Sequence, residues 1–175
     1  MRKATYAAAI CVAMLIPAAA QTKAMPKQAE RGKELFLKSQ KGIACGTCHA
    51  MAGVGNEIGP DLKTLASVVP PRGLVAAIQM TMTERVQEVK TSTDTFAGLQ
   101  KSKQGDELET WDLDQNPPVL RKLAAKDVES INRNTKWKHP PATVEYTSQE
   151  LADIIGFLRW AANGQTKEVK PDDVE

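Results

Sequence analysis

Cysteine and histidine are both scarce in this chain of 175 residues, with three of the first and two of the second. That scarcity excludes several kinds of chemistry. A four-ligand structural zinc site needs a second Cys or His cluster, and the sequence has none. Cys11 lies inside an apolar leader, so Cys45 and Cys48 are the only thiols left in the body of the chain, and a disulfide framework is not available. No methionine follows Met82. No apolar run is long enough for a confident membrane span, and Ala7 to Ile16 ends at Pro17. Internal repeats are absent. Carboxylates do not gather into a catalytic pair: Glu107, Glu109, Asp112 and Asp114 alternate as on a solvent face, and Asp172-Asp173 lies in a polar C-terminal stretch.

The first residues carry the pattern of a secretory leader over 1–20. Arg2 and Lys3 form a basic start, the apolar run follows, and Ala18-Ala19-Ala20 supplies the small residues of a cleavage site. The alternative is an uncleaved N-terminal anchor. Cleavage takes Arg2 and Lys3 from the 23 lysines and arginines and none of the 21 acids. The remainder is formally neutral, which gives no reason to expect a nucleic-acid partner. A cleaved leader leaves no stable membrane span and implies a periplasmic location.

Against this background one stretch stands out. Cys45-Gly46-Thr47-Cys48-His49 reads C-x-x-C-H, the pattern that attaches haem through two thioethers and places the following histidine on the iron. A chance match among so few cysteines and histidines is improbable. The alternatives for the two thiols are a redox C-x-x-C pair, which wants a βαβ setting that the flanks do not offer, or half of a zinc site.

Helical spacing predicts a helix from Lys27 to Leu37, with Ala29, Gly32, Leu35 and Phe36 on one face. A capping box, Thr147-Ser148-Gln149-Glu150, opens a second helix through Leu151, Ile154, Ile155 and Leu158, which Asn163-Gly164 ends. Shorter helices are expected over Arg72 to Met80 and Asp61 to Val68, and another over Ala125 to Asn132. Between Arg85 and Leu123, four segments of strand length are separated by polar clusters and predict an antiparallel meander of three or four strands. Gln21 to Pro26 reads as a linker and 163–175 as a mobile tail.

Gly32-Lys-Glu-Leu-Phe36, Cys45 to His49, Gly59-Pro60-Asp61-Leu62 and the helix Glu150 to Trp160 together resemble a class I c-type cytochrome. The β insert looks like that of a bacterial monohaem subgroup often associated with periplasmic dehydrogenases. The resemblance spans about 27–162. It implies a mainly α fold, with a small antiparallel β insert near 85–123 and a cytochrome c-like helical domain around one covalent haem. It also implies that Pro60 offers its carbonyl to the proximal His49. Where that subgroup has Met-Pro before the last helix, this chain has His139-Pro140, so the metal ligands are expected to be His49 and His139. The alternatives are an open position or Met51, Met80 or Met82. Trp137 is expected as a wall of the haem pocket. The function expected is one-electron transfer, with no catalytic residues, to a redox partner such as a periplasmic dehydrogenase or terminal oxidoreductase. The competing function is a haem enzyme or gas sensor with a displaceable sixth ligand.

Overall fold

The computed structural model describes residues 24–39, 41–80 and 85–175; the leader expected over 1–20 and Met82 lie outside the described residues. Helix α1 (Lys27–Leu37) and helix α4 (Ser148–Asn163) form where periodicity and capping require them. The Thr147–Glu150 capping box is present in both directions, and Gly164 ends α4 in the left-handed conformation at φ 71°. The two helices cross at Gly32. A Cβ at that position would overlap the backbone carbonyl of Asp153 and come within 2.9 Å of the Phe157 Cβ, so only glycine permits the approach. Beside the crossing, Phe36 and Phe157 are both fully buried, with ring centroids 5.3 Å apart. Arg31 clamps the buried Asp153 with two bonds of 2.8 Å. Two short helices, α2 (Lys63–Val68) and α3 (Pro71–Ile78), pack against α4, and Leu74 and Ala66 are almost fully buried.

A two-stranded hairpin, β1 (Ala50–Met51) with β2 (Val54–Gly55), follows the C-x-x-C-H motif. The larger sheet has five antiparallel strands: β3 (Val86–Thr91), β4 (Thr95–Gln104), β5 (Glu107–Asp112), β6 (Val119–Ala124) and β7 (Val128–Arg133). Their order across the sheet is β6-β5-β4-β3-β7. The two edge strands are thus consecutive in sequence, joined only by a 3-10 turn at Ala125–Asp127. Five flat strands would hold the edges about 19 Å apart, whereas the link from Ala124 to Val128 spans at most about 14 Å. The sheet must therefore curl until its edges approach. The turn is fixed at both ends of its path: Ala125 N–H donates to Asp106 O (2.6 Å) and Ser92 N–H to Asp127 O (3.3 Å). Val86, Val89, Phe96, Ala97 and Leu108 of these strands are buried, with Val89 and Phe96 paired on one face.

This architecture corrects the expected fold class and the expected family. The chain is not a mainly helical class I cytochrome c-like domain. It is an α+β chain in which a five-stranded curled sheet stands beside four α-helices among the described residues. The expected insert of three or four strands is too small by at least one. The stretch Ala125 to Asn132, expected as a helix, is the 3-10 turn followed by β7. The β-branched Val128 and Ile131 suit an extended backbone, and β3 has a second edge that only β7 covers, from Gln87 opposite Arg133 to Thr91 opposite Val128. That pairing is non-local, so no local pattern announces it.

The segment 163–175, expected as a mobile tail, instead packs along the helices. Val169 and Val174 are buried, and the Gln28 carboxamide bonds both backbone groups of Val169 at 2.6 and 2.9 Å. Two well-placed valines and one buried amide outweigh the polar composition that suggested disorder. No helix of the described residues is long and apolar enough to cross a membrane.

Candidate haem-attachment site

Cys45–Thr47 form a single 3-10 turn, and both Cys48 N–H and His49 N–H donate to Cys45 O, at 3.1 and 2.9 Å. The turn projects two thiols and an imidazole from one short segment. The following loop returns to the motif and is pinned to it: Gly59 N–H donates to Cys48 O at 2.6 Å and Asn56 N–H to Gly46 O at 3.0 Å. Both cysteines are free thiols. Burial pushes the Cys45 thiol up to about 11 and raises that of Cys48 as well. A redox C-x-x-C pair works through a lowered thiol pKa. The surroundings act in the opposite direction, which disfavours the redox-pair reading.

His49 is half-buried, and its Nδ1 lies 2.8 Å from Pro60 O. A carbonyl oxygen can only accept, so Nδ1 carries the proton and Nε2 presents its lone pair. Burial lowers the imidazole's pKa and the Pro60 carbonyl partly offsets this, favouring the neutral ring that a metal ligand requires. Gly59 forms the wall beside it. A Cβ there would sit 2.6 Å from His49 Cε1 and 2.9 Å from Nδ1. Gly59→Ala is therefore expected to rotate the ring and break the Pro60 hydrogen bond. Long-range nitrogen–proton NMR correlations of the imidazole test this, and an unchanged Nδ1–H signal would contradict it.

His139 comes from a distant part of the chain and ends beside His49. Their ring centroids are 6.3 Å apart with planes at 83°. The His139 Nδ1 lies 3.2 Å from Ile78 O, in the last turn of α3. Carbonyls at a helix C-terminus lack intrahelical partners, so the contact satisfies one of them and leaves His139 Nε2 free. The two rings are thus held in the same way, each by a backbone carbonyl on Nδ1. Burial lowers the pKa of His139, with the Ile78 carbonyl opposing it and His49 adding slightly to it. Trp137 lies 6.2 Å from the His139 ring, centroid to centroid. It lines a cleft of about 330 Å³ together with Cys48, Lys138, Pro140 and Leu113. The structure therefore gathers Cys45, Cys48, His49, Pro60, Trp137 and His139 in one region.

The methionine alternatives are placed differently. Met51 is 4% exposed within the helical core, and Met80 is 56% exposed at the surface. Two contributors escaped sequence reasoning. Ile78 acts through its backbone carbonyl, which no side-chain pattern can signal. Gly59 did leave a trace, as the small residue before Pro60. No protein-family model and no curated protein sequence matches the chain, so the class I cytochrome resemblance finds no support from either comparison.

Proposed function

We propose that the chain carries one covalently attached haem c and serves as a one-electron carrier. Cys45 and Cys48 would hold the haem through thioethers, and His49 and His139 would hold its iron. Bound there, the group would supply a centre that cycles between ferrous and ferric states. The carrying observation is the pair of imidazoles held with free Nε2 atoms at a centroid separation of 6.3 Å. Two metal–nitrogen bonds of about 2 Å, each extended by about 1.2 Å to the ring centre, require about 6.4 Å. Among the described residues no group of three or more His, Cys, Asp or Glu could hold a metal ion unaided. A macrocycle supplies four of its iron's ligands itself, so two imidazoles suffice. With both imidazoles holding the iron, substrate would have no place on the metal, which favours electron transfer over an open haem enzyme or gas sensor.

The periplasm is the proposed compartment, because the expected leader and thioether formation both belong outside the bacterial cytoplasm. A redox protein such as a dehydrogenase or terminal oxidoreductase is the proposed partner. The test is expression of the full chain in a host that exports and matures c-type haem proteins. One covalent haem per chain and a low-spin bis-imidazole electron paramagnetic resonance (EPR) spectrum are expected. A chain recovered without covalent haem overturns the cofactor. A high-spin ferric spectrum with rapid stoichiometric carbon monoxide binding overturns the carrier reading in favour of the enzyme or sensor.

A further inference from the structure

His139 is delivered by the sheet rather than by the helices, and one side chain stands at the point of delivery. Strand β7 ends at Arg133, and Asn134 N–H donates to Val86 O (3.1 Å), continuing the β3–β7 ladder by one step. The Asn134 side chain then turns the chain out of the sheet. Its Oδ1 accepts from Lys136 N–H (2.9 Å) and Trp137 N–H (2.8 Å). Both partners are backbone donors, which assigns the oxygen of the carboxamide to this side. The turn orients Trp137, whose ring adjoins that of His139. Beyond His139, Pro140 confines the histidine to an extended backbone, observed at φ −60° and ψ 121°. Asn134 on one side and Pro140 on the other thus bracket the imidazole. The proline restricts only its immediate neighbour. The asparagine joins the loop to the end of β7 through its two Oδ1 bonds.

We infer that Asn134 is a positioning residue for the distal imidazole: its carboxamide transmits the geometry of the β3–β7 edge to His139 and keeps the sixth position closed. The inference rests on His139 being an iron ligand, as proposed above. Loss of the two Oδ1 bonds leaves His139 attached through a looser loop, so an external ligand displaces it more readily.

The experiment is cyanide titration of the ferric haem-loaded protein, with EPR spectra of the wild type, Asn134→Ala, Asn134→Ser, Asn134→Asp and His139→Ala. Aspartate preserves an acceptor oxygen at the same reach, and serine a weaker one. Asn134→Ala is expected to bind cyanide about tenfold more tightly than the wild type and to show a new high-spin fraction. Asn134→Asp is expected to stay within about twofold and Asn134→Ser to fall between. Should Asn134→Ala not fold, the ranking of serine against aspartate carries the same information. A purely structural role would lower the melting temperature while leaving spectrum and cyanide affinity unchanged, and that result overturns the inference. A wild type that already binds cyanide as readily as His139→Ala overturns the ligand assignment instead, and the inference falls with it. A low-spin wild type whose Asn134→Ala and Asn134→Ser variants both titrate like it overturns the role of Asn134 alone.

Discussion

Replacing His139 by methionine raises the midpoint potential of the haem-loaded protein by on the order of 0.2 V, the scale on which axial ligands tune haem. The direction follows from the donor. Imidazole supports the ferric state more strongly than a thioether does. The Ile78 carbonyl, 3.2 Å from Nδ1, makes this imidazole a better donor still. A thioether has no N–H for that carbonyl, so the substitution removes the ligand and its supporting hydrogen bond together. A shift of 0.2 V in a one-electron couple corresponds to about 5 kcal/mol of differential stabilisation between the two oxidation states, far more than a surface substitution delivers. Redox titration of both proteins measures it. A potential within about 0.05 V of the wild type, with an unchanged ferric spectrum, would remove His139 from the iron.

Gly32→Ala lowers the melting temperature by about 4–8 °C. Two effects oppose each other here. Alanine favours an exposed helix interior over glycine by about 1 kcal/mol, so the substitution would stabilise α1 in isolation. At the crossing, however, the new methyl group overlaps the Asp153 carbonyl and lies 2.9 Å from the Phe157 Cβ. The first is main chain within α4 and cannot rotate away. Relief demands that the helices separate, which loosens Phe36 against Phe157 and strains the Arg31–Asp153 clamp. Overpacking costs about 1–3 kcal/mol, and a clash with main chain lies at the upper end, so it outweighs the propensity gain. Thermal unfolding followed by circular dichroism checks the sign. An unchanged or raised midpoint would show that α1 and α4 do not meet at Gly32.

Local pattern made much of the chain legible. The α1 face, the α4 capping box and strands β3 to β6 all announce themselves within a few residues. Each depends on a periodicity or a cap that neighbours in sequence can supply. Strand β7 and the C-terminal strap do not. Val128 to Arg133 becomes a strand because β3, some forty residues earlier, has an open edge. Val169 is fixed by Gln28, 141 positions away. Weighing the helical ends above the sheet gave a mainly α reading that the five-stranded sheet overturns. The site divides in the same way. His49 and Pro60 lie eleven positions apart in one short stretch, and only the resemblance paired them. His139 could be nominated by its rarity and its place before Pro140, but the carbonyl that orients it is main chain. Asn134 was not singled out from the sequence, because nothing local connects its turn to His139.

The closed path of the large sheet sets an order of assembly. Every strand pairing in it lies within residues 86–133, whereas the α1–α4 crossing joins residues more than 120 positions apart. Loop-closure entropy grows with separation, so the sheet is the cheaper part to form from an extended chain. Once formed, it draws Val86 and Arg133 together and shortens the path that the terminal helices must close. Folding is then expected to run from the middle outward, with the Cys45–His49 segment and His139 meeting late. Chevron kinetics read this directly: substitutions at Val89 should slow folding, and those at Gly32 should mainly quicken unfolding. The reverse pattern would place the helical crossing in the nucleus.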